Sequence, residues 1–93
     1  MKIMKRDGSE ATFDRAKIEK AIEKANASVI EKDRLPHSTI QAIASSIEAE
    51  CKKSGNIPTV ESVQDKVIYE LMAHHAYVLA NNYIVYRYEH QLK

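Results

Sequence analysis

Polar and apolar positions along this chain first alternate in short extended runs and then recur at a spacing close to 3.6. Lys2 to Arg6 and Ser9 to Phe13 are the two short runs, with Asp7-Gly8 between them. Asp-Gly in that place predicts a β-hairpin, because both residues tolerate the positive φ of a two-residue type I′ turn. A lone hairpin is marginal in water, so it must lie on other structure. Behind it, Ile18, Ala21, Ile22, Ala25 and Val29 form one helical face, and Arg15, Glu19, Lys20, Glu23 and Lys24 the other. Asp14 is suited to cap this helix. The turn formers between Asn26 and Pro36 end it.

Three more helices follow from the same periodicity. Ser38-Thr39-Ile40-Gln41 has the form of a capping box, ahead of an apolar stripe of Ile40, Ile43, Ala44, Ile47 and Cys51. Gly55 provides a left-handed stop. Thr59 caps a third helix carrying Val60, Val63, Val67 and Leu71, and a fourth starts near Ala76 and carries Leu79, Ala80, Tyr83, Ile84 and Tyr86. Its end, Glu89 to Lys93, is polar. The expected fold is α+β: an N-terminal β-hairpin covering a bundle of about four helices.

Size and charge narrow what such a domain does. The 93 residues suit one domain, and 14 Lys and Arg against 13 Asp and Glu leave a formal charge of +1. This balance argues against a nucleic-acid binder, whose footprint is strongly basic. One cysteine excludes a disulfide framework and a four-cysteine zinc site. No apolar run approaches the ~20 residues that span a bilayer, and Met1 to Arg6 lacks a secretory signal, so a cytoplasmic protein is expected.

Catalytic chemistry finds little support. With only Gly8 and Gly55, the chain has no glycine-rich phosphate loop. Cys51 sits on an apolar stripe, where a thiol packs as a small hydrophobe. His74 and His75 are adjacent, so on a helix their side chains diverge and do not chelate one ion. Tyr83 and Tyr86 share a helical face with Leu79, which is core spacing. What remains is a basic group: Lys5 and Arg6 beside the turn, and Lys17 in the first turn of the next helix. Spacing alone leaves two readings open, a solvated strand end or a grip on a polyphosphate.

Ile3-Met4-Lys5-Arg6-Asp7-Gly8, then Phe13-Asp14, then Lys17-Ile18 with Ala21-Ile22 resemble the opening of the ATP-cone domain. Val63-Gln64, Val67 and Leu71-Met72 resemble that family in the same order, as do Ala80, Tyr83-Ile84 and Tyr86-Arg87. The resemblance covers nearly the whole chain, so residues 1–93 are taken as one such domain. It implies a regulatory module, best known from ribonucleotide reductases, in which ATP leaves the enzyme active and dATP switches it off. It assigns the phosphates to Lys5, Arg6 and Lys17, with Arg87 nearby. It also places Ile3 and Ile18 beside the nucleotide, Asp14 near adenine or ribose, and Val60, Val63 and Gln64 over the base.

The implied effectors are ATP or dATP with Mg²⁺ on the phosphates, and no catalytic residue is implied. The implied partners are adenine nucleotides, a reductase catalytic domain or subunit, and the domain itself in nucleotide-dependent self-association. Thr12 stands where many members have Pro, Ala11 replaces a polar position, and Gln64 stands where some reductases have His. The Tyr83–Arg87 pattern resembles the anaerobic, glycyl-radical class most. Two other functions fit the residues: the sensing part of a repressor of reductase genes, and a helical interaction domain that binds no nucleotide.

Overall fold

A computed structural model describes residues 1–91. Strands β1 (Lys2–Met4) and β2 (Glu10–Thr12) pair antiparallel, with Lys2 opposite Thr12, Ile3 opposite Ala11 and Met4 opposite Glu10. The connection is longer than the predicted two-residue turn. Gly8 N–H donates to Lys5 O at 3.0 Å, and Lys5 N–H donates to Ser9 O at 2.7 Å. Gly8 alone takes a positive φ, 87°. This is the three-residue hairpin, a turn followed by a left-handed glycine, in which Asp7 keeps an ordinary φ. Asp7 Oδ1 instead accepts from Ser9 N–H at 2.9 Å and from Ser9 Oγ at 2.6 Å, bracing the turn from inside. The strands therefore stop short of Lys5 and Arg6.

Four helices follow: α1 (Arg15–Ala27), α2 (His37–Ser54), α3 (Val60–Ala73) and α4 (Tyr77–Gln91). Asp14 caps α1 as expected, its Oδ1 accepting from Ala16 N–H at 3.0 Å. The helix ends at Ala27, within the stretch expected to end it, and Asn26 is still helical. Asn26 is buried within α1, and its carboxamide bonds both backbone groups of Leu35, at 2.9 and 3.1 Å, which folds the connection back. One turn of 3₁₀ helix, Glu31–Asp33, lies in that connection.

The capping box expected at Ser38 is absent. Helix α2 begins two residues earlier than that box requires, at His37, with Pro36 at the cap position and no side-chain cap bond. Pro36 holds an extended ψ of 151° while its carbonyl accepts from Thr39 and Ile40, so Ser38 is already inside the first turn. The reciprocal box belongs to α3: Thr59 Oγ1 accepts from Ser62 N–H at 3.0 Å, and Thr59 N–H donates to Ser62 Oγ at 3.1 Å. Gly55 ends α2 in the left-handed region at φ 76°.

Helix α1 packs on α2 and α4, and α3 packs on the same two, closing a four-helix ring. Ile22, Ile40, Ile43, Ile47, Val67, Leu71 and Leu79 are its fully buried centre. Tyr83 joins them, but Ile84 does not: it is 40% exposed, on an outer face of α4 shared with Tyr77, Val78, Val85 and Tyr88. Apolar residues line α4 on both sides, so period alone could not choose the inward face. Leu92 and Lys93 of the expected polar end lie outside the described residues. No helix among the described residues is long and apolar enough to cross a membrane.

The hairpin is fastened to the bundle at the start of α3. Met4 N–H donates to Pro58 O at 2.9 Å, and Met4 forms a parallel bridge with Thr59. This contact places one face of the ribbon over the first turns of α1 and α3.

Candidate functional site

Between the ribbon, α1 and α3 lies a cavity of about 210 Å³. The hairpin contributes Ile3, Lys5, Ala11 and Thr12, and the link to α1 contributes Phe13 and Asp14. Helix α1 adds Lys17, Ile18 and Ala21, one turn apart on the face that looks up at the ribbon. Val60, Val63 and Gln64 come from α3, and Tyr83 of α4 forms the far wall. Eight of the ten positions singled out in the sequence thus meet around one space: Ile3, Lys5, Asp14, Lys17, Ile18, Val60, Val63 and Gln64.

The lining is apolar with two cations, Lys5 and Lys17. Neither ammonium makes an ion pair among the described residues. The α1 N-terminus is already served by the Asp14 carboxylate. Attraction for a negative ligand therefore rests on the two lysines.

One polar atom in this lining lacks a partner. Gln64 Oε1 is buried and accepts no hydrogen bond, which is costly for a carboxamide oxygen out of contact with water. Tyr83, 4% exposed, has its hydroxyl pushed up to about 12 by burial and stays protonated. The hollow thus offers apolar walls and two lysines, with a buried, unpartnered carboxamide oxygen on one of its lining residues.

Arg6 and Arg87 do not line the cavity. Arg6 Nε lies 3.2 Å from Glu61 Oε1, and Arg87 Nη1 donates to Asp65 Oδ1 at 2.7 Å. The turn sends Lys5 to the cavity and Arg6 toward Glu61 of α3.

A family model for the ATP cone domain matches residues 1–92. The chain belongs to the ATP-cone family. The ATP-cone is a nucleotide-binding regulatory domain whose effectors are ATP and dATP, and the regulation it exerts is not itself catalysis. The hairpin over four helices is thus the frame of a nucleotide sensor. Tyr83, Ala11, Thr12, Phe13 and Ala21 line the ATP-cone cavity without having been singled out as site residues. Tyr83 carried a core signal because it is a core residue. Only its distance along the chain from the hairpin hid that the core surfaces there.

Proposed function

We propose that this ATP-cone senses ATP against dATP for a ribonucleotide reductase, binding the nucleotide in the cavity beneath the hairpin. The observation that carries this reading is the convergence of Lys5 and Lys17 on a largely apolar hollow whose lining includes Gln64, a residue with a buried and unpartnered Oε1. At about 210 Å³ the hollow is smaller than the roughly 300–1,000 Å³ of sites that enclose whole ligands, so it takes the base and leaves the phosphates at its mouth. There Lys5 and Lys17 hold them, with Arg6 and Arg87 as outer cations.

The energies require both halves. Two charge-assisted contacts at about 1.5–3 kcal/mol each fall short of the about 8 kcal/mol net that micromolar binding needs. Burying a flat base among Ile3, Ile18, Val60 and Val63 supplies the remainder. The amino group of adenine gives Gln64 Oε1 its missing donor, whereas guanine carries a carbonyl oxygen at the corresponding ring position. Asp14, its Oδ1 occupied by the cap, borders the ribose. Mg²⁺ arrives on the phosphate oxygens, since no group of three or more acidic, His or Cys side chains among the described residues is arranged to hold a metal.

ATP and dATP differ by one hydroxyl, so a switch needs two states of the domain with different affinities for the two. The output is a change of association, with a reductase catalytic domain or subunit or between copies of the cone. Titration calorimetry with ATP, dATP and GTP tests the site: binding of both adenine nucleotides, with GTP weaker, is expected. No heat from any of them at millimolar concentration would refute it. Light scattering with ATP and then dATP tests the output, and identical mass in both would remove self-association from it.

A further inference from the structure

Arg6 occupies the first central position of the Lys5–Gly8 turn, and Glu61 lies in the first turn of α3. Their nearest charged atoms, Nε and Oε1, are 3.2 Å apart, yet Glu61 Oε1 accepts no aligned hydrogen bond although it is buried. The two side chains as a whole are 54% and 38% exposed. At Oε1 the contact is therefore one of charge, without the aligned bond that makes an arginine–carboxylate contact strong. Such a contact exchanges readily for a better anion. Lys5, the residue before Arg6, lines the cavity, and Arg6 does not.

We propose that Glu61 competes with the ligand for Arg6 and so makes the site read the length of the phosphate chain. This rests on the nucleotide reading above. A short tail leaving the cavity is met by Lys5 and Lys17 and leaves Arg6 on Glu61. A longer tail reaches the turn and offers Arg6 terminal phosphate oxygens, which accept from the guanidinium fork in two parallel bonds. Arg6 then moves from carboxylate to phosphate, and Glu61 opens to water. Glu61 thus weakens every complex that recruits Arg6 and leaves the others alone. Selection for the triphosphate is set by that exchange together with the two lysines.

The test is calorimetric titration of AMP, ADP and ATP into the wild-type chain, Glu61→Gln, Arg6→Ala and the double variant. On the scale of exposed ion pairs, Glu61→Gln tightens ATP about two- to fivefold, with AMP unchanged and ADP between. In the Arg6→Ala background the same change gives no gain. Glu61→Asp keeps the charge but withdraws the carboxylate by one methylene, and it shows part of the gain for ATP. An equal gain for AMP and ATP overturns the proposal, as does a gain that survives without Arg6, because either means that removal of a negative charge is the whole effect. A wild-type chain that binds none of the three refutes the nucleotide reading and this one with it. A wild-type chain that binds, with variants that fail the pattern, refutes this one alone.

Discussion

Arg87 on α4 donates through Nη1 to Asp65 Oδ1 on α3 at 2.7 Å, joining two helices that also pack through apolar side chains. The arginine side chain is 19% exposed and the aspartate 69%, so the stem of Arg87 is packed while the carboxylate faces water. Replacing Arg87 removes packing together with the pair. A loss of about 1 kcal/mol lowers the melting temperature of a domain this size by about 4–8 °C. Arg87→Ala is expected to show that drop, with a smaller effect on the ATP Kd than Lys5→Ala or Lys17→Ala. Unchanged melting with a tenfold weaker Kd would instead make Arg87 a principal phosphate ligand.

Tyr83 makes stability fall at alkaline pH. Burial raises its hydroxyl in the folded protein to about 12, against 10 for the unfolded chain. Between those values the unfolded chain has lost a proton that the folded chain keeps. The unfolded state is thereby favoured, by about 1.4 kcal/mol for each pH unit. Below pH 10 the effect vanishes. Denaturant melts of wild type and Tyr83→Phe at pH 8, 10 and 11.5 are expected to diverge only at the highest pH, with the phenylalanine variant losing less. Parallel loss in both at pH 11.5 would assign the alkaline transition to other groups.

Elements with local causes were legible in the sequence. The stripe Ile40, Ile43, Ala44, Ile47 and Cys51 is buried throughout, and Asp14, Gly55 and Thr59 hold the helix ends they were assigned. Each signal lies within one or two turns of the residue that causes it. The misassignments share the opposite property. Ser38 had the composition of a cap, but the backbone is extended at Pro36 and helical from His37, so the cap position falls two residues earlier. Contact of Arg6 with Glu61, and of Tyr83 with the hairpin cavity, joins segments remote in sequence, and periodicity carries no information on such pairs. The cluster of Lys5, Lys17, Val60 and Gln64 was reached through family resemblance, because spacing alone left the lysines equally at home in solvent.

The hairpin turn depends on backbone conformation more than on space. Gly8 has φ 87°, and a methyl group placed there would meet nothing within 4 Å. Substitution therefore costs only the strain of the left-handed region, about 1 kcal/mol for alanine. Asn tolerates that region better and recovers part of the loss. Gly8→Ala is expected to lower the melting temperature by about 4–8 °C and Gly8→Asn by less. Equal losses would show that contacts of the turn, rather than its φ, set the cost. Because Lys5 and Arg6 belong to this turn, the alanine variant is also expected to bind ATP more weakly.

Thr59 couples helix capping to the cavity beneath the hairpin. Its hydroxyl starts α3, its backbone bridges Met4 of the hairpin, and the next residue, Val60, lines the cavity. Thr59→Ala deletes the acceptor for Ser62 N–H and costs about 1 kcal/mol of stability. It also frees the first turn of α3, which carries Val60 and sits against the hairpin. Fraying there separates the two walls that would enclose the base, so weaker ATP binding is expected alongside the lower melting temperature. Thr59→Ser keeps the hydroxyl and is expected to restore both. If serine rescues stability while ATP affinity stays low, the threonine methyl shapes the cavity; if neither is rescued, the capping box does not govern this end of the helix. Backbone amide exchange of residues 60–63 reads the fraying directly: faster exchange in Thr59→Ala, returning to wild-type rates in Thr59→Ser, is the result that ties the cap to the site.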